Sequence, residues 1–147
     1  MIRALALGAT VLTAVAVLVL RTRFVAVLVH GDSMRPTLRP GDRVLVRRVP
    51  VGRVRRGQVI VLAPPADLPA HEDDPPWLIK RVIALPGDPV PRALPALRAV
   101  RETRVPPGQV VVLGDNTARS YDSRRAGYFD AGTMLGVVVR RMWPAGR

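Results

Sequence analysis

Trp77-Leu78-Ile79-Lys80-Arg81-Val82-Ile83-Ala84-Leu85-Pro86-Gly87-Asp88 reads as one strand closed by a turn. Branched side chains are stiff at χ1 and pack well on a pleated surface. Pro-Gly-Asp then stops the run with turn chemistry. Residues two apart share a strand face, so Lys80 falls with Leu78, Val82 and Ala84, and Arg81 falls with Ile79 and Ile83. Lys80 is the single lysine among 23 cationic side chains. Arginine stays protonated in a protein, whereas a lysine among aliphatic side chains can shed its proton and act as a base. Periodicity alone leaves a second reading open, a lysine that threads its amine from an edge strand into water.

The same signature recurs on both sides of this stretch. Phe24 to Val29 is one run, and Val44-Leu45-Val46 follows the turn Arg39-Pro40-Gly41-Asp42. Val59 to Leu62 follows Arg55-Arg56-Gly57, and Val110 to Leu113 and Met134 to Met142 complete the set. Short β-branched runs between Gly, Pro and Asp read as strands. Ala63 to Pro76 and Pro86 to Gly108 carry too much proline for central strands and read as loops, with room for a helical turn around Leu94 to Arg101. No segment after Leu20 has a capped helical period. The expected fold class is mainly β, a twisted and partly closed sheet over residues 24–147.

Ahead of it, Ala4 to Leu20 is 17 residues without a charge, bounded by Arg3 and by Arg21 and Arg23. A membrane-spanning helix needs about 17–25 such residues. A cleaved leader is the competing reading, since Ala14-Val15-Ala16 has the small-x-small form. However, Val17-Leu18-Val19-Leu20 keeps that site inside the apolar run, where a cleavage site should follow the run. The expectation is an uncleaved anchor over residues 1–23, its helix at about 4–20. Arginines flank both ends, so the charge count sets no orientation. The net charge of +12 comes with 4% aromatic residues and without helix-turn-helix or zinc spacing, which argues against nucleic acid. Attraction to anionic lipid is one reading of the charge; a solvated surface is the other, since the arginines are spread through the chain. There is no cysteine, hence no disulfide or thiolate chemistry.

Gly31-Asp32-Ser33-Met34-Arg35-Pro36-Thr37-Leu38 is the candidate nucleophile turn. Glycine admits close backbone approach, and Pro36 stiffens the chain beyond the serine. A serine hydroxyl needs a base to become a nucleophile. His30 and His71 lack a surrounding motif, and His71-Glu72-Asp73-Asp74 lacks metal-ligand spacing, so no metal is expected. Lys80 is the better base. Leu113-Gly114-Asp115-Asn116-Thr117-Ala118-Arg119-Ser120-Tyr121-Asp122-Ser123-Arg124 reads as a polar turn after a strand; its serines can hold an amine, and Asp122 and Arg124 can pair.

Taken in order, these stretches resemble the type I signal peptidases, membrane-anchored serine proteases with a Ser–Lys dyad. The likeness spans nearly the whole chain: an N-terminal anchor, Gly-Asp-Ser-Met-x-Pro-Thr-Leu, Pro-Gly-Asp-x-Val, Lys-Arg-Val-Ile-x-Leu-Pro-Gly-Asp and Gly-Asp-Asn…Ser-x-Asp-Ser-Arg. The resemblance implies Ser33 as nucleophile and Lys80 as general base. It implies that Ser120 orients the amine, that Asp122 and Arg124 brace the site, and that Met34 and Pro36 shape the turn. The implied partners are exported precursors with Ala-x-Ala-like sites and the lipid bilayer, without cofactor, metal or nucleic acid. The implied location is the outer face of the cytoplasmic membrane. Gly31, with Asp32 between it and Ser33, stands where some members carry a serine as second oxyanion donor. Gln58 stands where the family often has aspartate, and the segment from Asp88 to Gly114 lacks the extra domain of larger members. A dedicated maturation peptidase of the same superfamily, such as that of nickel superoxide dismutase, is a second expectation. A silent membrane-anchored binding domain is a third.

Overall fold

The computed structural model describes residues 12–14, 18, 21–66, 68 and 75–143. Seven strands follow in chain order: β1 Phe24–Leu28, β2 Arg43–Arg47, β3 Val59–Leu62, β4 Leu78–Ala84, β5 Gln109–Leu113, β6 Phe129–Asp130 and β7 Met134–Trp143. They form one sheet in the order β1-β2-β7-β3-β4-β5-β6, with antiparallel neighbours throughout. The mainly β expectation therefore holds. Register shifts in the β2–β7, β3–β7 and β4–β5 pairs mark bulges, which bend strands and deepen their twist.

Alternation along the strands supplies a core on each face. Ile60, Leu62, Val82, Val110, Val112 and Val137 pack in one cluster. Val61, Ile79, Val44 and Val46 pack in a second with Val27, Val29, Met34 and Leu38. The second cluster matters for the site, because Met34 and Leu38 lie in the turn that carries Ser33. A third cluster, with Leu97 and Val105, tucks the proline-rich loop against Val111 and Ala84.

The helical turn expected near Leu94 is a 3-10 turn at Pro95–Leu97. Sequence periodicity misses β6, two residues long, and a four-residue helix, α1, at Ser123–Ala126. Both are too short to show a period. Most of the expected anchor lies outside the described residues. Residues 12–14, 18 and 21–23 are helical and exposed. Among the described residues no helix is long and apolar enough to cross a membrane.

Candidate active site

The turn after β1 is pinned at both ends. Val29 N–H donates to the Asp42 carbonyl at 2.8 Å, and Gly41 N–H returns to the Val29 carbonyl at 2.9 Å. Within the turn Leu38 N–H donates to the Met34 carbonyl at 2.9 Å. Met34, 1% exposed, plugs the turn into the core. Gly31 has φ +67, a conformation that other residues rarely adopt, and open space around it. Its part is conformational. Asp32 Oδ1 lies 2.7 Å from Arg35 Nε, and the Arg35–Pro36 peptide is cis.

Across from this turn, β4 presents Lys80. Its Nζ donates to Ser33 Oγ at 2.9 Å, closing a gap of 47 positions in sequence. Lys80 is 2% exposed, which rules out the lysine threaded into water. Its pKa is lowered from 10.5 to about 8, chiefly by burial; Asp122 pulls it back up and Arg124 pushes it further down. An amine with that value supplies a free base near neutral pH, where an ordinary lysine supplies almost none. His30 is exposed and lines a groove between β1 and residues 75–77. His71 lies outside the described residues.

The loop after β5 holds the two parts together. Asp122 is fully buried. Its Oδ2 accepts from Gly114 N at 2.8 Å, Ser120 Oγ at 2.6 Å and Arg124 Nη1 at 2.9 Å, while its Oδ1 accepts from Arg124 N at 3.1 Å. Such a set satisfies the hydrogen-bonding capacity of a buried carboxylate. The Ser120 hydroxyl proton is taken by Asp122, and among the described residues Lys80 Nζ bonds to Ser33 alone. Ser120 is thus tied to Asp122, whose charge acts on the Lys80 amine.

Five further residues join the site beyond those to which the motifs assign a role. Asn116 clamps the nucleophile turn, donating from its backbone N to the Ser33 carbonyl at 2.9 Å and from Nδ2 to the Asp32 carbonyl at 3.1 Å. Arg81, on the opposite face of β4, makes a two-pronged pair with Asp115, Nε to Oδ1 at 2.8 Å and Nη2 to Oδ2 at 2.6 Å. That pairing raises the Arg81 pKa and lowers that of Asp115. Thr37 donates to the same Asp115 carboxylate, so the network ties β4, the β5 loop and the Ser33 turn at a second point. Gly114 is the fifth. A Cβ there would strike Ser120 Oγ and sit 2.6 Å from the Ser33 carbonyl. The signal for these residues is present in the quoted motifs, since Arg81 follows Lys80 and Gly114-Asp115-Asn116 is one of them. Local spacing does not say which of them meet.

A groove of ≈ 270 Å³ runs along β1, lined by Val25, Val27, Leu28, His30, Trp77 and Leu135 among others. Among the described residues no group of His, Cys, Asp and Glu is arranged to hold a metal ion.

The family model described as signal peptidase, peptidase S26, matches residues 2–98 and 91–143. Signal peptidase I of Bacillus caldolyticus is 32% identical over 150 residues, covering 80% of this chain and 78% of that protein. Probable signal peptidase I-2 of Synechocystis is 33% identical, covering 97% of this chain and 75% of that protein. Mitochondrial inner membrane protease subunit 1 of Schizosaccharomyces pombe is 33% identical, with 80% and 72% covered. A solved signal peptidase I from Enterococcus faecalis superposes with a TM-score of 0.41 at 24% identity, over 59% of this chain and 97% of that one.

Proposed function

Given that the chain belongs to the S26 family of signal peptidases and is a serine endopeptidase that removes signal peptides, we propose that Ser33 is its nucleophile and Lys80 its general base. The observation that carries this reading is the 2.9 Å bond from a buried, easily deprotonated amine to Ser33 Oγ. Ser33 Oγ bonds to the scissile carbonyl carbon while its proton passes to Lys80 Nζ. The peptide C–N bond then breaks, and Lys80 returns the proton to the leaving amine. Water, activated by the same amine, hydrolyses the acyl ester and restores Ser33.

The Ser33 N–H makes no hydrogen bond to a described acceptor and is free to face the developing oxyanion. Losing one such donor typically costs about 2.7–4 kcal/mol of transition-state stabilisation. Asp122 and Arg124 set the field around the amine, and Ser120 holds the Asp122 carboxylate. Gly31, Asp32, Met34 and Pro36 keep the turn in shape. The substrate lies extended beside Val27 to Val29 and Leu78 to Lys80 as an added strand. Its Ala-x-Ala-like residues face shallow pockets there.

Residues 1–23 form the anchor in this reading, with a helix over about 4–20, and residues 24–147 form the catalytic part on the outer face of the cytoplasmic membrane. The test is cleavage of a synthetic Ala-x-Ala precursor by detergent-solubilised full chain. Ser33→Ala and Lys80→Arg should each reduce the rate by about 10²–10⁴ or more. Cleavage surviving either change refutes the dyad. A folded wild type that leaves general precursors intact points to a dedicated substrate.

A further inference from the structure

We propose that the arginine-lined cavity beside residues 51–58 seats the headgroup of an anionic phospholipid. The cavity measures ≈ 580 Å³ and is lined by Arg47, Gly52, Arg53, Val54, Arg55 and Gln58. All three arginines are exposed, and among the described residues their guanidinium groups form no ion pair. The acids Asp32, Asp42, Asp88, Asp115 and Asp122 each face a different arginine, namely Arg35, Arg141, Arg56, Arg81 and Arg124. The cavity thus collects positive charge that no acid among the described residues pairs with. A guanidinium presents a planar fork of donors that fits two oxygens of one phosphate. Gln58 turns its Oε1 to the Arg55 N–H at 2.9 Å, which leaves its amide NH2 for a further headgroup oxygen.

The position of the cavity selects lipid over free phosphate. Phe24, the first residue of β1, is paired with Arg47. Arg48 N–H donates to the Arg23 carbonyl at 2.9 Å. The cavity therefore opens at the end of the sheet where the chain arrives from residues 21–23, directly after the apolar run. This placement rests on the anchor reading proposed above. If that run spans the bilayer, Arg47, Arg53 and Arg55 stand at headgroup height.

The experiment titrates detergent-solubilised full chain with dihexanoyl phosphatidylglycerol and with dihexanoyl phosphatidylcholine, counting bound copies by native mass spectrometry. Phosphatidylglycerol should bind saturably and phosphatidylcholine far more weakly. Arg53→Gln and Arg55→Gln should each weaken phosphatidylglycerol binding about fivefold, and Arg47→Gln combined with both should weaken it about 100-fold. Inorganic phosphate at the same concentrations should leave the lipid bound. Equal binding of the two lipids, binding unchanged in the single variants, or displacement by inorganic phosphate overturns the proposal. Alkaline carbonate extraction of the chain from membranes tests the anchor separately. Release into the supernatant sinks the anchor, while the titration in detergent judges the cavity by itself.

Discussion

Replacing Lys80 with methionine keeps an unbranched apolar stem and removes the amine. Wild-type Lys80 is 2% exposed and has its pKa lowered from 10.5 to about 8. Below pH 8 the folded chain holds a charged amine in a site that disfavours the charge, at a cost of about 3 kcal/mol. Methionine removes that cost and also the bond to Ser33 Oγ, which contributes about 1 kcal/mol. At pH 7 the variant should therefore be the more stable protein, by about 2 kcal/mol. Between pH 8 and 10.5 the unfolded wild type binds a proton that the folded one has released, so wild-type stability rises with pH across this window. Above 10.5 the amine is neutral in both states, only the lost hydrogen bond remains, and the variant should be less stable by about 1 kcal/mol. Urea unfolding of both full chains in one detergent, at pH 7 and pH 11, reads the difference, because other titrating groups cancel between the two proteins. A stability difference that stays constant across that pH range refutes the reasoning, since it means the amine titrates as it does in water. The expected signature is a reversal of sign, in a variant that has lost cleavage at both pH values.

Gly114→Ala places a methyl group against Ser120 Oγ and 2.6 Å from the Ser33 carbonyl, so it should lower stability by about 1–3 kcal/mol in urea unfolding and reduce cleavage with it. Asp115→Asn releases the two-pronged hold of Arg81 and loosens the Ser33 turn through Thr37. Misplacing a nucleophile by about 1 Å can cost about 10²-fold, so kcat should fall by up to that factor while the ionisation midpoint of the pH–rate profile stays in place. A shifted midpoint with unchanged kcat would contradict this positioning role.

The strands are legible in the sequence because their residues are stiff, apolar and bounded by glycine and proline; β4 in particular declares its face pattern through Lys80, Val82 and Ala84, all of which are buried. β6 and α1 are not legible. Phe129–Asp130 is held by pairing with Gln109 and Val110, and Ser123–Ala126 is started by the Asp122 side chain accepting from Arg124 N–H. Both depend on partners more than on local propensity. In the site, Ser33 and Lys80 stand out by composition and motif. Ser120 reads as a residue that orients the amine, and its bond to Asp122 is not legible, because a sequence shows a hydroxyl but not the carboxylate that meets it. Arg81 falls on the opposite face from Lys80, where periodicity gives it no task. That face is where Asp115 and Thr37 come to meet it, from 34 and 44 positions away. Contacts of that range belong to the topology, and no period in a single chain announces them.

The most direct test is the pH dependence of kcat/KM for precursor cleavage by the full chain, which reports the ionisation of the free enzyme. With Lys80 as base, the rate should climb tenfold per pH unit on the acid side, bend at about pH 8 and level off above it. A profile that is flat from pH 6 to 10, or one that bends near 6.5 as an ordinary histidine does, contradicts a buried lysine as the group that takes the proton from Ser33.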